Sequence, residues 1–200
     1  MRYSFKDLKA WMSAFRLKYP VVVVKKPTPV LVPDSGLHRI IWHWTAGRKI
    51  PSKDDLKHYN SVHDYQGKTY DGAAKPEDQA KYDWRKGVGA SHTKNANTGS
   101  IGQAVSGMYD SKGWPALSWG KDAITWEGID SMLKLSAKHC KMYGIPVTRE
   151  TTLSHAEVEK TLGIKQNNKW DFMVLPGSTG VEDAVKIGDI LRARMIKKFM

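Results

Sequence analysis

His38-Arg39-Ile40-Ile41-Trp42-His43-Trp44 sets four large apolar side chains around one histidine, and Thr45-Ala46-Gly47 follows at once. An apolar run without regular polar alternation fits a strand buried on both faces, in the middle of a sheet that helices cover. Ser100 to Met108 is a second such run, thin at Gly102 and Ala104, so that another group can approach its backbone closely.

Helical signals lie between and after these strands. A helix is expected from about Ser52 to Val62, with Ser52 as cap and Asp54 and Asp55 in its positive first turn. Tyr65-Gln66-Gly67-Lys68-Thr69-Tyr70 resembles a hairpin turn in which Gly67 supplies the permissive dihedral. Trp126 to Tyr143 carries Ile129, Met132, Leu133, Ala137 and Cys140 as one apolar stripe, with Thr125 as cap and Gly144 and Pro146 as stop signals. Pro176-Gly177 marks a turn, and Thr179 to Glu182 reads as a capping box for a last helix reaching about Lys198. Alternating strands and helices predict an α/β fold, a central mixed β-sheet flanked by helices. Residues 1–35 form a separate unit in this scheme. An amphipathic helix at 4–17 and a Pro-rich connector pack on the main domain at 36–200 as a short N-terminal helical extension.

Two hundred residues at 40% hydrophobic content suit one core that folds without a staple. Cys140 is the only cysteine, so no intrachain disulfide can form, which fits synthesis in a reducing cytoplasm. No apolar run approaches the ~20 residues of a membrane span. The N-terminus lacks the layout of a secretory signal, so action outside a membrane would need another agent for release. The net charge of +12, from 32 basic and 20 acidic side chains, favours an anionic partner. The lysines are scattered, however, and no aromatic-basic strand motif or basic helix points to nucleic acid.

Zinc-binding residue types occur in two contexts: His43 at the end of the first strand, and His155 with Asp171 in Leu153-Ser154-His155 and Lys169-Trp170-Asp171. Singly, each has an ordinary alternative as a hydrogen-bonded core histidine, a helix start or a cap. Two imidazoles and a carboxylate on one zinc would leave a fourth tetrahedral position open, where water can become a nucleophile.

Four ordered blocks across residues 38–175 resemble the zinc-dependent N-acetylmuramoyl-L-alanine amidases, the group that includes short phage lysozyme-amidases, bacterial amidases and peptidoglycan recognition proteins. They are Ile41 to Gly47; Leu56-Lys57-His58-Tyr59-Asn60 leading to Gln66 through Tyr70; Gly89-Ala90-Ser91-His92 with Asn97 through Gly102; and Tyr143 through Pro146 with Leu153-Ser154-His155 and Lys169-Trp170-Asp171. The resemblance implies one Zn2+ held by His43, His155 and Asp171. It implies Lys169 facing the substrate carbonyl, Tyr59 as a catalytic group of the phage-like branch, and His92 as a substrate-contact residue. Many bacterial relatives carry an acidic base in the strand after Ser-Ile-Gly; here Gln103 follows, which leaves proton handling to Tyr59 or to a water held by it.

The implied activity is cleavage of the amide between N-acetylmuramic acid and L-alanine of peptidoglycan, by a monomeric phage endolysin made in the host cytoplasm and released to the cell wall. Anionic wall polymers would attract its positive charge. A cytoplasmic muropeptide-recycling amidase and a non-catalytic peptidoglycan-binding module of the same fold are the alternatives. Trp44, Trp84, Trp114, Trp119 and Trp126 offer either sugar-stacking faces or core.

Overall fold

The computed structural model describes residues 35–200, so the helix expected at 4–17 and the connector lie outside the described residues. Residues Arg39–Trp44 form β1, five of whose six side chains are buried. β1 pairs in parallel with β4 (Ser100–Val105) on one side and with β5 (Thr152–Ser154) on the other. β4 pairs in parallel with β2 (Ser61–His63), and β2 runs antiparallel to β3 (Thr69–Asp71). The order β3-β2-β4-β1-β5 is therefore a mixed five-stranded sheet with β1 and β4 inside it, as the apolar runs require.

Strand alternation sends Ile40, Trp42 and Trp44 to one face. There they join Ile101 and Val105, and α2 (Trp126–Tyr143) and α4 (Ala184–Phe199) cover them with Met132, Leu133, Ile187 and Leu191. The indole N–H of buried Trp42 donates to Ser136 Oγ at 2.9 Å, which satisfies the one polar atom of that ring. On the opposite face Ile41 packs with Leu153, Ala96 and Val158, the last from α3 (Glu157–Leu162). His43 shares the face of Ile41.

The long helix α2 has the predicted bounds and caps. Thr125 Oγ1 accepts from Gly128 N–H, and Gly144 closes the helix with φ of 64°. Two other boundaries need correction. The helix expected from Ser52 to Val62 is a single turn, α1 (Asp55–His58), after which Tyr59 is already extended. Pairing with β4 wins over helix propagation: Asn60 N–H donates to the Gly102 carbonyl, and Gly102 N–H donates to Asn60 Oδ1. Ser52 still caps reciprocally with Asp55. The last helix is capped by Asp183, whose carboxylate accepts from Val185 and Lys186 N–H, rather than by a box at Thr179; Glu182 instead pairs with Lys186 at 2.5 Å. The hairpin is as expected, with Gly67 at φ of 81° between β2 and β3.

One buried ion pair joins the elements behind β5. Arg192 on α4 donates to Glu157 at 2.7 Å and to the Thr152 carbonyl at 2.8 Å, and Glu157 accepts from Ser154 N–H at 2.7 Å. Gly188 makes this possible, since a Cβ there would lie 2.1 Å from the Glu157 carboxylate. The strand that His155 follows is thus tied to two helices.

Candidate metal centre

His43 is the penultimate residue of β1, and His155 follows β5 directly, its N–H donating to the Trp42 carbonyl at 2.9 Å. Because β1 and β5 are parallel neighbours, both imidazoles emerge at the same end of the sheet. Asp171 arrives from the segment after α3. Its flanking aromatics hold it there: Trp170 meets Trp44 edge-on at 4.7 Å, and fully buried Phe172 lies 5.8 Å from Trp44. Phe172 has φ of 57°, a left-handed backbone that a bulky residue rarely adopts and that tertiary packing must maintain. Trp44 N–H donates to Asp171 Oδ1 at 3.3 Å.

These elements bring the three residues together and bury them. One donor atom from each of His43, His155 and Asp171 lies within 4.8 Å of the others. His43 Nδ1 is 3.7 Å from Asp171 Oδ1, and His155 Nδ1 is 3.9 Å from Asp171 Oδ2, both too long for hydrogen bonds. Donors around a tetrahedral zinc stand roughly 3.3–3.5 Å apart, so an ion would draw these donors inward from separations of up to 4.8 Å. His43 Nδ1 is buried with no hydrogen-bond partner, an exception that calls for a ligand.

The proton positions follow from the surroundings. His92 Nε2 faces the Ser100 carbonyl at 3.0 Å and must donate, so His92 Nδ1 is an acceptor. His43 Nε2 lies 3.2 Å from that acceptor and therefore carries the proton, which leaves the lone pair on the unpartnered Nδ1. Burial pushes His43 down to about 4, against the raising effect of Asp171. Burial also lowers His155, with Asp171 and Gln166 opposing. For Asp171, burial alone would raise the carboxyl, but the two imidazoles and Lys169 outweigh it and hold it below its ordinary value. Two neutral imidazoles and one carboxylate are thus ready at neutral pH, without proton competition for a cation.

Beside the centre lies a cleft of about 330 Å³, lined by His92, Thr93, Lys94, His155, Gln166 and Lys169 among others. Lys169 is exposed at its edge. Tyr59 packs against the other side of His43, ring centroids 5.1 Å apart, and its hydroxyl donates to the Trp44 carbonyl at 3.4 Å. Burial, then the Asp171 and Asp55 charges, raises its pKa, so it is a neutral donor at physiological pH. His92 is buried against Gly102, where the thin strand position admits its ring. Gln103 points to the far face, where Ser136 and His139 engage it. Gln166, which sequence reasoning missed, bonds His155 Nε2 at 2.9 Å. His63 and His139 are buried structural residues, and His38 and His58 are exposed. Among the tryptophans Trp44 is core, Trp119 and Trp126 pack against it, and Trp84 and Trp114 are exposed.

No protein-family model matches the chain, and no curated protein matches it. Solved structures do. The N-acetylmuramoyl-L-alanine amidase LysC from Clostridium intestinale URNW is 14% identical, with a TM-score of 0.39, covering 71% of this chain and 96% of its own. The Ph2119 endolysin from Thermus scotoductus MAT2119 bacteriophage Ph2119 is 16% identical, with a TM-score of 0.42, over 70% and 83%. Drosophila peptidoglycan recognition protein SD is 18% identical, with a TM-score of 0.41, over 70% and 80%.

Proposed function

We propose that this protein is a zinc-dependent hydrolase that cleaves the amide between N-acetylmuramic acid and L-alanine of peptidoglycan, acting as a phage endolysin. The unpartnered Nδ1 of buried His43, converging with His155 and Asp171, carries the proposal. Residues 36–200 are the catalytic domain in this scheme. A cell-wall substrate agrees with the net charge of +12. Among the described residues no helix is long and apolar enough to cross a membrane.

His43, His155 and Asp171 would hold the ion. Zinc so bound supplies a Lewis acid that acidifies water and polarises a carbonyl. The chain's own contributions follow from their places. Lys169, at the cleft edge beside His155, offers a cation to the oxyanion that develops on the substrate carbonyl. Tyr59, protonated and beside His43, orients the attacking water through its hydroxyl and assists proton transfer. His92, whose nitrogens are engaged with Ser100, Thr93 and His43, forms part of the wall against which substrate rests.

Mass spectrometry of digested peptidoglycan tests the proposal, with new N-terminal alanine expected and no new reducing sugar ends. Asp171→Ala should abolish both that product and bound zinc while circular dichroism keeps its native shape. Lys169→Met should retain zinc and slow alanine release about 10²–10³-fold. Full activity in Asp171→Ala removes the carboxylate from the site.

A further inference from the structure

We infer that Gln166 is a positioning residue that fixes the tautomer and direction of the His155 ring, so that Nδ1 is the atom this imidazole offers to a metal. The inference rests on the metal-centre proposal above. Gln166 is buried, and its amide is fully engaged. Nε2 donates to the Lys94 carbonyl at 2.9 Å and the Ile164 carbonyl at 3.3 Å, while Oε1 lies 2.9 Å from His155 Nε2. Its backbone N–H donates to the Glu159 carboxylate at 3.1 Å, which anchors the residue to α3.

The orientation of this amide is dictated by its neighbours. Flipped, it would set its oxygen against two carbonyl oxygens. With Nε2 committed to those carbonyls, Oε1 must face the ring, and an oxygen acceptor requires an N–H at His155 Nε2. A neutral imidazole carries one proton, so the lone pair is on Nδ1, the atom directed at Asp171. An amide achieves this without adding charge, leaving Asp171 as the anionic donor. The Lys94 carbonyl also links His155 to the segment whose His92 and Thr93 contact His43 Nε2 at 3.2 and 3.3 Å. Both imidazoles therefore lean on one segment, His43 on residues 92 and 93 and His155, through Gln166, on residue 94.

The test compares the full chain with Gln166→Leu, which keeps bulk and removes the amide, and Gln166→Glu, which keeps an acceptor toward His155. Competition with a chromogenic chelator should show zinc affinity weakened about 10–100-fold in Gln166→Leu. Long-range ¹H–¹⁵N imidazole spectra of the metal-free proteins should show the His155 proton on Nε2 in wild type and Gln166→Glu, and distributed over both nitrogens in Gln166→Leu. Loss of stability alone would not move that signal. Zinc affinity of Gln166→Leu within about threefold of wild type overturns the role of Gln166, leaving the metal centre standing. A wild-type His155 protonated on Nδ1 overturns it as well, and that measurement needs no variant to fold. A wild-type chain that binds no zinc removes the metal centre and this inference together.

Discussion

A methyl group added at Gly102 would fall 2.4 Å from Cδ2, 2.5 Å from Cγ and 2.9 Å from Nδ1 of His92, where ordinary contact begins at 3.4 Å. In Gly102→Ala the ring must therefore retreat by about 1 Å or the strand must bend. The ring is not free to move: Nε2 is held by the Ser100 carbonyl at 3.0 Å, Nδ1 by Thr93 at 2.9 Å, and its backbone N–H by Asn97 Oδ1 at 3.0 Å. Overpacking of this kind costs about 1–3 kcal/mol. For a chain of this size that lowers Tm by roughly 2–12 °C. Movement of the ring also breaks its 3.2 Å contact with His43 Nε2, so zinc affinity should fall by about tenfold or more. Thermal unfolding with chelator present reads the first effect, and chelator competition reads the second. A variant that melts with wild type and binds zinc equally would show that His92 does not sit on β4 or support His43.

Three further outcomes are expected. Tyr59→Phe removes a hydroxyl held by one 3.4 Å bond, so unfolding free energy should change by less than about 1 kcal/mol. Alanine release from peptidoglycan should slow about 10²–10⁴-fold, and an undiminished rate would exclude Tyr59 from proton transfer. Arg192→Met strands the buried Glu157 carboxylate and should cost about 3–5 kcal/mol in urea unfolding; a loss under about 1 kcal/mol would mean the pair contributes little. For the metal-free protein, His43 and His139 are lowered to about 4 and His63 to about 3, each chiefly by burial. Between pH ~6.5 and ~4 the unfolded chain binds protons that the folded chain refuses, so stability is complete above ~6.5 and lost as pH falls through that window. A flat unfolding free energy from pH 7 to pH 5 would refute these burial effects.

Local signals in the chain mark the elements whose determinants are short-range. The stripe and caps of Trp126 to Tyr143 specify that helix because its hydrogen bonds close within four residues and Gly144 accepts the left-handed turn. The apolar runs around His43 and Gly102 mark inner strands because a strand covered on both faces has no solvated side to fill with polar residues. At Asn60 local preference gives way, since its partner is Gly102, remote in sequence, and no local pattern encodes that pairing. Likewise, residue types alone nominate His43, His155 and Asp171, but parallel pairing of β1 with β5 and the aromatic clamp around Asp171 bring their donors within 4.8 Å. Gln166 carries no sequence signature, because its role depends on two backbone carbonyls and an imidazole that meet only after the chain has folded. What residue type decides is which atoms can donate or accept; which of them face one another is decided by long-range packing.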